Sequence, residues 1–269
     1  MSAPVFVVEP HGSSGDLAET AAGGTYVLDG TEGRHAGVVQ RRGPGERVDV
    51  VDGAGTRLRC VIESVTAGEV LLRVEEVVRE PAPDVVITLV QALAKGDRDE
   101  MAIEAATEVG ADAIVPWQAD RSIVVWRGDR AAKSRQRWLA TVRAATKQAR
   151  RARLPQVETS IDSRGLAARV AAVVAGGGRA IVLHEEATTA LADVELPGGG
   201  DPAVELLVVV GPEGGISSTE LDALTDSGAV AARLGPHVLR TSTAGPVAIA
   251  LLAERLGRWE HPESDSLRS

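Results

Sequence analysis

The residues best suited to chemistry lie in two stretches toward the C-terminal end. In LLVVVGPEGGISSTE, residues 206–220, an apolar run passes into Gly211-Pro212-Glu213-Gly214-Gly215 and then reaches Ser217 and Glu220, which have the S-x-x-E spacing of a helix capping box. In ARLGPHVLRTSTAGPVAIALL, residues 232–252, a second run reaches Leu234-Gly235-Pro236 and then Thr241-Ser242-Thr243 before a long apolar segment. Both stretches have the form strand, glycine turn, helix. Ligands of open α/β sheets bind beyond the carboxyl ends of strands, and glycine lets backbone approach them closely. The chemistry this suits is the holding of a polar ligand by loop backbone. The competing reading is two tight turns, with the three hydroxyls only capping a helix.

Other signatures are missing. Gly53-Ala54-Gly55 lacks the third glycine of a dinucleotide fingerprint, no phosphate-binding G-x-x-x-x-G-K-[ST] run occurs, and His184-Glu185-Glu186 lacks the second histidine of a zinc-protease motif. With five histidines and one cysteine, no metal site is expected. Cys60 stands alone and reads as a small buried hydrophobe.

The elements that must position these loops change character along the chain. Residues 1–78 read as all-β: apolar runs at Tyr26–Leu28, Val48–Val51, Leu58–Ile62 and Val70–Val74 alternate with turn signals at Gly43-Pro44-Gly45, Asp52-Gly53 and Ala67-Gly68. Strands so short and close suggest a small barrel, with a helical turn around residues 31–40. Glu80-Pro81-Ala82-Pro83 reads as a linker. Beyond it, residues 84–260 alternate strand and helix, which predicts an α/β domain with a mostly parallel sheet. Strands are expected at Val85–Gln91, Ala113–Val115, Ile123–Val125, Ala180–Leu183, Glu205–Val210 and Ala229–Leu234. Helices are expected at Asp99–Val109 (with Met101, Ile103, Ala106 and Val109 apolar), Ala131–Arg151, Leu166–Val174, Ser217–Leu224 and Thr243–Leu256. Leu196–Pro202 reads as a flexible connection and the residues from His261 as a disordered tail.

Composition bounds the function. Hydrophobic residues make 44% and charged residues 25% of the 269-residue chain, as in soluble globular proteins. Aromatics are only 2%, so aliphatic side chains must fill the core. No run approaches the ~18 apolar residues of a membrane span, and the opening MSAPVFVVEP lacks the basic-then-apolar order of a signal peptide. The cytoplasm is the expected compartment and no membrane partner is expected. A net charge of −9 speaks against a nucleic-acid partner when taken alone. Yet ten Lys/Arg and a single acid, Asp129, lie between Arg127 and Arg153, either an anion-binding surface or a solvated helix face.

GPEGGISSTEL followed by LGPHVLRTSTA resembles the RsmE-type branch of the SPOUT methyltransferases. The likeness continues through VQALAKGDRDEMAIEAATEVGADAIVPWQADRSIVVW (Val90–Trp126), RWLATVRAATKQARRARLP (Arg137–Pro155) and RHAGVVQRRGPGERVDVVDGAG (Arg34–Gly55). Departures are also present. Ala105 stands where the family usually has lysine, and Ala144 or Ala145 where it has an acid. Ser242 and its neighbours replace the usual arginine-glutamate-threonine-alanine wording, and Arg34-His35 keeps one of two frequent histidines.

The resemblance implies a C-terminal trefoil-knot methyltransferase domain at 84–260 and a PUA-like β-barrel for RNA binding at 1–78. It implies S-adenosyl-L-methionine as cofactor, and as reaction the methylation of N3 of a specific uridine in 16S ribosomal RNA, within the small ribosomal subunit. Alternatives are another RNA target, such as a ribose 2′-hydroxyl, or a non-catalytic ribosome-assembly factor. Carried over, the cofactor residues are Leu183, His184 and Glu185; Gly211, Pro212, Glu213, Gly214, Gly215 and Ile216; and Leu234, Gly235, Leu239, Arg240, Thr241, Ser242, Thr243 and Ala244. Arg240 and Glu213 are the candidate catalytic residues. RNA contact is expected from Arg34, His35, Arg41, Arg42, Arg121, Lys147, Arg150, Arg151 and Arg153. A homodimer is implied, with the last helix (Val247, Ile249, Leu251, Leu252) packed at the interface or in the core, and Trp117 and Trp126 likewise.

Overall fold

The computed structural model describes residues 3–8, 17–200 and 202–260. The chain divides into two compact units, Met1–Ala82 with Arg143–Leu154, and Pro83–Val142 with Pro155–Ser269.

In the first unit β1 (Val5–Val7), β2 (Thr25–Leu28), β3 (Arg47–Val51), β4 (Thr56–Thr66) and β5 (Glu69–Arg79) form one sheet in the order β1-β3-β4-β5-β2. Hydrogen bonding therefore describes a five-stranded sheet whose two ends, β1 and β2, are not paired to each other among the described residues. Every apolar run read from the sequence is a strand. β4 and β5 extend beyond theirs because they pair with each other along their whole length, from Thr56 opposite Arg79 to Thr66 opposite Glu69, through exposed and half-buried residues. The hairpin between them turns at Ala67 and Gly68, both at positive φ, as the twist of paired strands requires. Phe6, Leu28, Leu58, Ile62 and Leu72 fill the core. Between β2 and β3 a short helix α1 (Gly30–Arg34) continues into one π-helical turn, His35–Val39. Residues 143–154 join this unit through Leu154 N–H to Gly53 O at 2.9 Å and an Arg57 guanidinium N–H to Arg150 O at 2.7 Å.

The second unit runs β6 (Val85–Ala92), α2 (Arg98–Val109), β7 (Ala113–Gln118), α3 (Asp129–Gln148), β8 (Gln156–Val157), β9 (Ile161–Asp162), α4 (Ser163–Ala175), β10 (Arg179–Leu183), β11 (Thr189–Ala190), β12 (Val204–Val210), α5 (Ser218–Asp226), β13 (Val230–Arg233) and α6 (Thr241–Arg255), the end of α3 belonging to the first unit. Its sheet has the order β11-β13-β10-β12-β6-β7-β8, with β9 also on β7, and every ladder is parallel. Helices α2 and α6 pack on one face, α4 and α5 on the other. The central strands, covered on both sides, are largely apolar.

Four expectations are corrected. Ile123–Val125 is a loop, and Ile123 is 72% exposed. The sheet edge beside β7 is taken by β8 and β9, and the Gln118 side chain ties the loop instead, donating to Val124 O and accepting from Trp126 N–H. Met101 lies off the buried stripe of α2, which carries Asp99, Ala102, Ile103, Ala106 and Thr107. Helix α3 stops at Gln148, not Arg151, because Arg150 adopts the left-handed conformation at φ 57°. Helix α6 begins at Thr241, so the three hydroxyls sit in its first turn, and its N-cap is Arg240, with no side-chain cap bond. Its apolar residues divide, Ile249 and Leu252 in the core, Val247 and Leu251 exposed. Trp117 and Trp126 are buried, the latter edge-on to Trp138. The tail from His261 lies outside the described residues. Among those described, no helix is long and apolar enough to cross a membrane.

Candidate functional site

Strands β13, β10 and β12 are neighbours, and the loops leaving their carboxyl ends line one cavity of about 780 Å³. That volume lies in the range of small-molecule sites. After β10 come Leu183, His184, Glu185 and Glu186; after β12, Gly211, Pro212, Glu213, Gly214, Gly215 and Ile216; after β13, Val238, Leu239 and Arg240, with Thr241 and Ala244 from the start of α6. Arg98 and Arg121 complete the wall from the segments that follow β6 and β7.

The structure thus brings together most residues singled out in the sequence. Leu234, Gly235, Ser242 and Thr243 do not line the cavity, while Val210, Ser218, Leu221, Glu186, Val238, Arg98 and Arg121 do. Arg98 is open to the same strand-end reasoning, since KGDR directly follows β6. Arg121 enters the sequence reading only as an RNA contact.

The glycine loop is fastened at three of its carbonyls. Thr241 Oγ1–H donates to Gly211 O at 2.8 Å, Gly215 N–H to Pro212 O at 2.9 Å, and Arg121 Nη1 to Gly214 O at 3.0 Å. The turn from Pro212 closes on Gly215, whose φ of 74° is in the left-handed region that favours glycine. A Cβ on Gly211 would lie 2.6 Å from Ile216 Cγ1, so glycine there lets Ile216 fold in as an apolar wall. Among the described residues the N–H groups of Gly214 and Ile216 have no protein acceptor, and both residues line the cavity.

Charge around the cavity is mixed. Glu213 Oε1 accepts from Arg98 Nη1 at 2.8 Å and from Lys95 N–H at 3.2 Å. Partial burial raises its pKa, but its own N–H, Arg98 and the Lys95 amide outweigh that and hold the carboxyl below its ordinary range. Arg240 and the exposed Glu185 and Glu186 make no ion pair among the described residues. His184 Nδ1 accepts from Glu186 N–H at 3.3 Å. No group of three potential metal ligands occurs among the described residues.

Behind the cavity Glu220 joins three segments. Only 3% exposed, it completes the capping box with Ser217 and accepts from Asp120 N–H at 2.8 Å and Ser163 Oγ–H at 2.6 Å. Burial raises its pKa, and these donors more than reverse the shift. The carboxylate therefore stays charged and holds the Arg121 segment against the start of α5.

The expected RNA contacts have diverse settings. In the first unit Arg34, Arg41 and Arg150 are exposed, the last two with positive φ. Arg42 pairs with Glu46, His35 lies edge-on to Phe6, and Arg151 N–H donates to Thr146 O. Lys147 pairs with the buried Glu32 at 2.8 Å, and Arg153 donates to the Pro81 and Glu80 carbonyls. Ala144 is exposed and Ala145 is buried. In the second unit Arg135 and Arg137 are engaged by Val157 O and Glu100, while Arg127, Arg130 and Lys133 are exposed.

Residues 80–253 match the family model described as RNA methyltransferase domain. The chain is 47% identical over 243 residues to ribosomal RNA small subunit methyltransferase E of Mycobacterium bovis, covering 90% of this chain and 91% of that one. It is 30% identical over 237 residues to the Bacillus subtilis protein of the same name, covering 85% and 90%. The crystal structure of a ribosomal RNA small subunit methyltransferase E from Neisseria gonorrhoeae, bound to S-adenosyl methionine, matches with a TM-score of 0.78 at 26% identity, over 94% of this chain and 98% of that one. With the fold, the cavity and these likenesses in agreement, the chain belongs to the RNA methyltransferase family, in its RsmE branch.

Proposed function

We propose that this enzyme methylates N3 of a uridine in 16S ribosomal RNA with S-adenosylmethionine as methyl donor. The observation that carries the reading is the convergence of three strand-end loops on one cavity with free backbone donors and charges of both signs. The residues present suit the cofactor. Gly214 and Ile216 N–H groups match the ring-nitrogen acceptors of adenine, Leu183, Ile216 and Leu239 offer apolar walls, and Glu185 with Arg240 suits a ligand bearing both cation and carboxylate. When bound, the cofactor supplies an electrophilic methyl on a sulfonium.

The chain's part in the reaction is placement and charge. The cavity loops would hold the cofactor and orient the uracil toward its methyl group. Arg240, lining the cavity and without an ion pair among the described residues, would stabilise the negative charge on the uracil carbonyl oxygens as the N3 proton passes to water, so that N3 takes the methyl group as its bond to sulfur breaks. Glu213, already ionised and paired, anchors the loop.

The second unit is read as the SPOUT trefoil-knot domain (84–260), supported by a parallel sheet in which β10 lies between β12 and β13 and the loops leaving all three meet at the cavity. The first is read as the PUA-like RNA-binding domain (1–78), supported by exposed Arg34 and Arg41. These cations would meet phosphate and set orientation. The partner is the small subunit, in the cytoplasm. Exposed Val247 and Leu251 on α6 and Met101 on the adjoining α2 support a homodimer.

The reading is tested by nucleoside mass spectrometry of ribosomal RNA with and without the gene. Loss of one N3-methyluridine from the small-subunit RNA is expected, and an unchanged profile overturns it.

A further inference from the structure

Gln91 is a polar residue where the sheet asks for an apolar one. It sits near the end of β6, opposite Val210 of β12 and Pro116 of β7, and is wholly buried. A buried amide is unfavourable unless its hydrogen bonds are made. Its Nε2 donates to Ala92 O at 3.2 Å and to Thr241 Oγ1 at 2.9 Å, and Thr241 in turn donates to Gly211 O at 2.8 Å. Gln91 Oε1, also buried, has no partner among the described residues. The side chain is thus kept for what it donates, at the expense of an acceptor left unmet.

The direction of this relay is determined by its ends. The amide nitrogen has only hydrogens to offer, so the Thr241 oxygen must accept from it. The single hydroxyl hydrogen is then committed to Gly211 O. That bond sets the peptide plane at the first residue of the glycine loop, from which the free N–H groups of Gly214 and Ile216 take their direction. Thr241 and Gly211 line the cavity, whereas Gln91 does not.

We propose that Gln91 is a positioning residue for methyl-donor binding, acting through the Thr241 hydroxyl on the Gly211 carbonyl; this rests on the cofactor reading given above. Its contribution is to affinity for the methyl donor rather than to holding the sheet together.

The test is titration calorimetry with S-adenosylmethionine on the full chain, alongside thermal unfolding, for wild type, Gln91→Leu, Gln91→Glu, Thr241→Val and Thr241→Ser. Gln91→Leu removes the orphaned acceptor together with the donor to Thr241 Oγ1 and Ala92 O, so the gain and the loss largely offset and unfolding should change little. Its affinity should nevertheless fall about tenfold, as for loss of one well-made hydrogen bond. Thr241→Val should fall likewise and Thr241→Ser should retain affinity. In Gln91→Glu the introduced carboxyl can donate to Thr241 when neutral but not when ionised, so this variant should bind progressively more weakly than wild type as pH rises. Wild-type affinity in both Gln91→Leu and Thr241→Val overturns the inference while leaving the cofactor reading intact. A wild type that does not bind the cofactor overturns both.

Discussion

The Arg98 guanidinium and the Glu213 carboxylate stand 2.8 Å apart, tying the segment after β6 to the glycine loop after β12. The pair is partly open to water, so it contributes little to stability, but together with the Glu213 and Lys95 N–H groups it keeps Glu213 ionised against partial burial. A carboxyl held below its ordinary range is a poor proton acceptor near neutral pH. The pH–rate profile should therefore contain no limb belonging to Glu213. Glu213→Gln is expected to lower the profile without changing its shape, and disappearance of an acidic limb would identify Glu213 as the base.

An added side chain would crowd its neighbours at two positions of the glycine loop. Alanine at 211 would push against Ile216 Cγ1 at 2.6 Å, and a Cβ at 214 would lie 3.1 Å from Arg121 Cβ. Gly211→Ala and Gly214→Val should each lower cofactor affinity by about tenfold or more, the loop being displaced from the ligand. Circular dichroism should remain that of the wild type. Unchanged calorimetric affinity in a folded variant would remove the loop from the site.

Asp99 is buried at the start of α2. Burial pushes its pKa from 3.8 up to about 6, against opposing hydrogen bonds from the Glu100 and Ala94 amides. The folded state then holds the proton more tightly than the unfolded one. The stabilising contribution is complete below the unfolded pKa and is lost as pH rises through about 6. A shift of this size amounts to roughly 3 kcal/mol above the transition. Asp99→Asn keeps an acceptor without the charge, so in urea unfolding its advantage over wild type should grow between roughly pH 4 and pH 6 and then level off. A constant difference would show that Asp99 does not titrate in this way.

Cys60 is buried in the first unit, and burial, with Asp49 and Glu75 nearby, pushes its thiol up to about 12. The native protein should not react with a colorimetric disulfide reagent at neutral pH, and one thiol should appear on unfolding. Rapid native labelling would contradict the packing around β4.

Two cations in the basic segment should behave oppositely. Lys147 neutralises Glu32, itself only 9% exposed. Lys147→Ala should lower stability by roughly 1–3 kcal/mol, since Arg143 remains only as a longer partner to Glu32. Arg150 is exposed, and Arg150→Ala should leave unfolding unchanged while reducing the salt dependence of RNA binding by about one counterion. Equal effects of the two on RNA binding would show that Lys147 also meets the phosphate chain.

Much of this protein is determined locally and is legible in the residue order. Near-continuous apolar runs such as Val85–Val90 and Leu206–Val210, short and bounded by turn signals, read as strands covered on both faces, and the glycines at 211, 214 and 215 mark where a strand must turn. Ser217 and Glu220 make the capping box their spacing announces, because that bond pattern closes within one helical turn. The family motifs are legible for the same reason, being short and contiguous. What lay beyond reach was every property arising between distant segments. Whether a hydroxyl caps its own helix or reaches Gly211, thirty residues away, depends on where β6 sets Gln91. Whether Lys147 meets phosphate or Glu32 depends on a partner 115 residues distant. Ile123–Val125 has strand composition, yet the sheet edge was already taken. Periodicity records which face of an element is buried, but the pairing of polar groups is decided only when the chain brings their partners within hydrogen-bond reach.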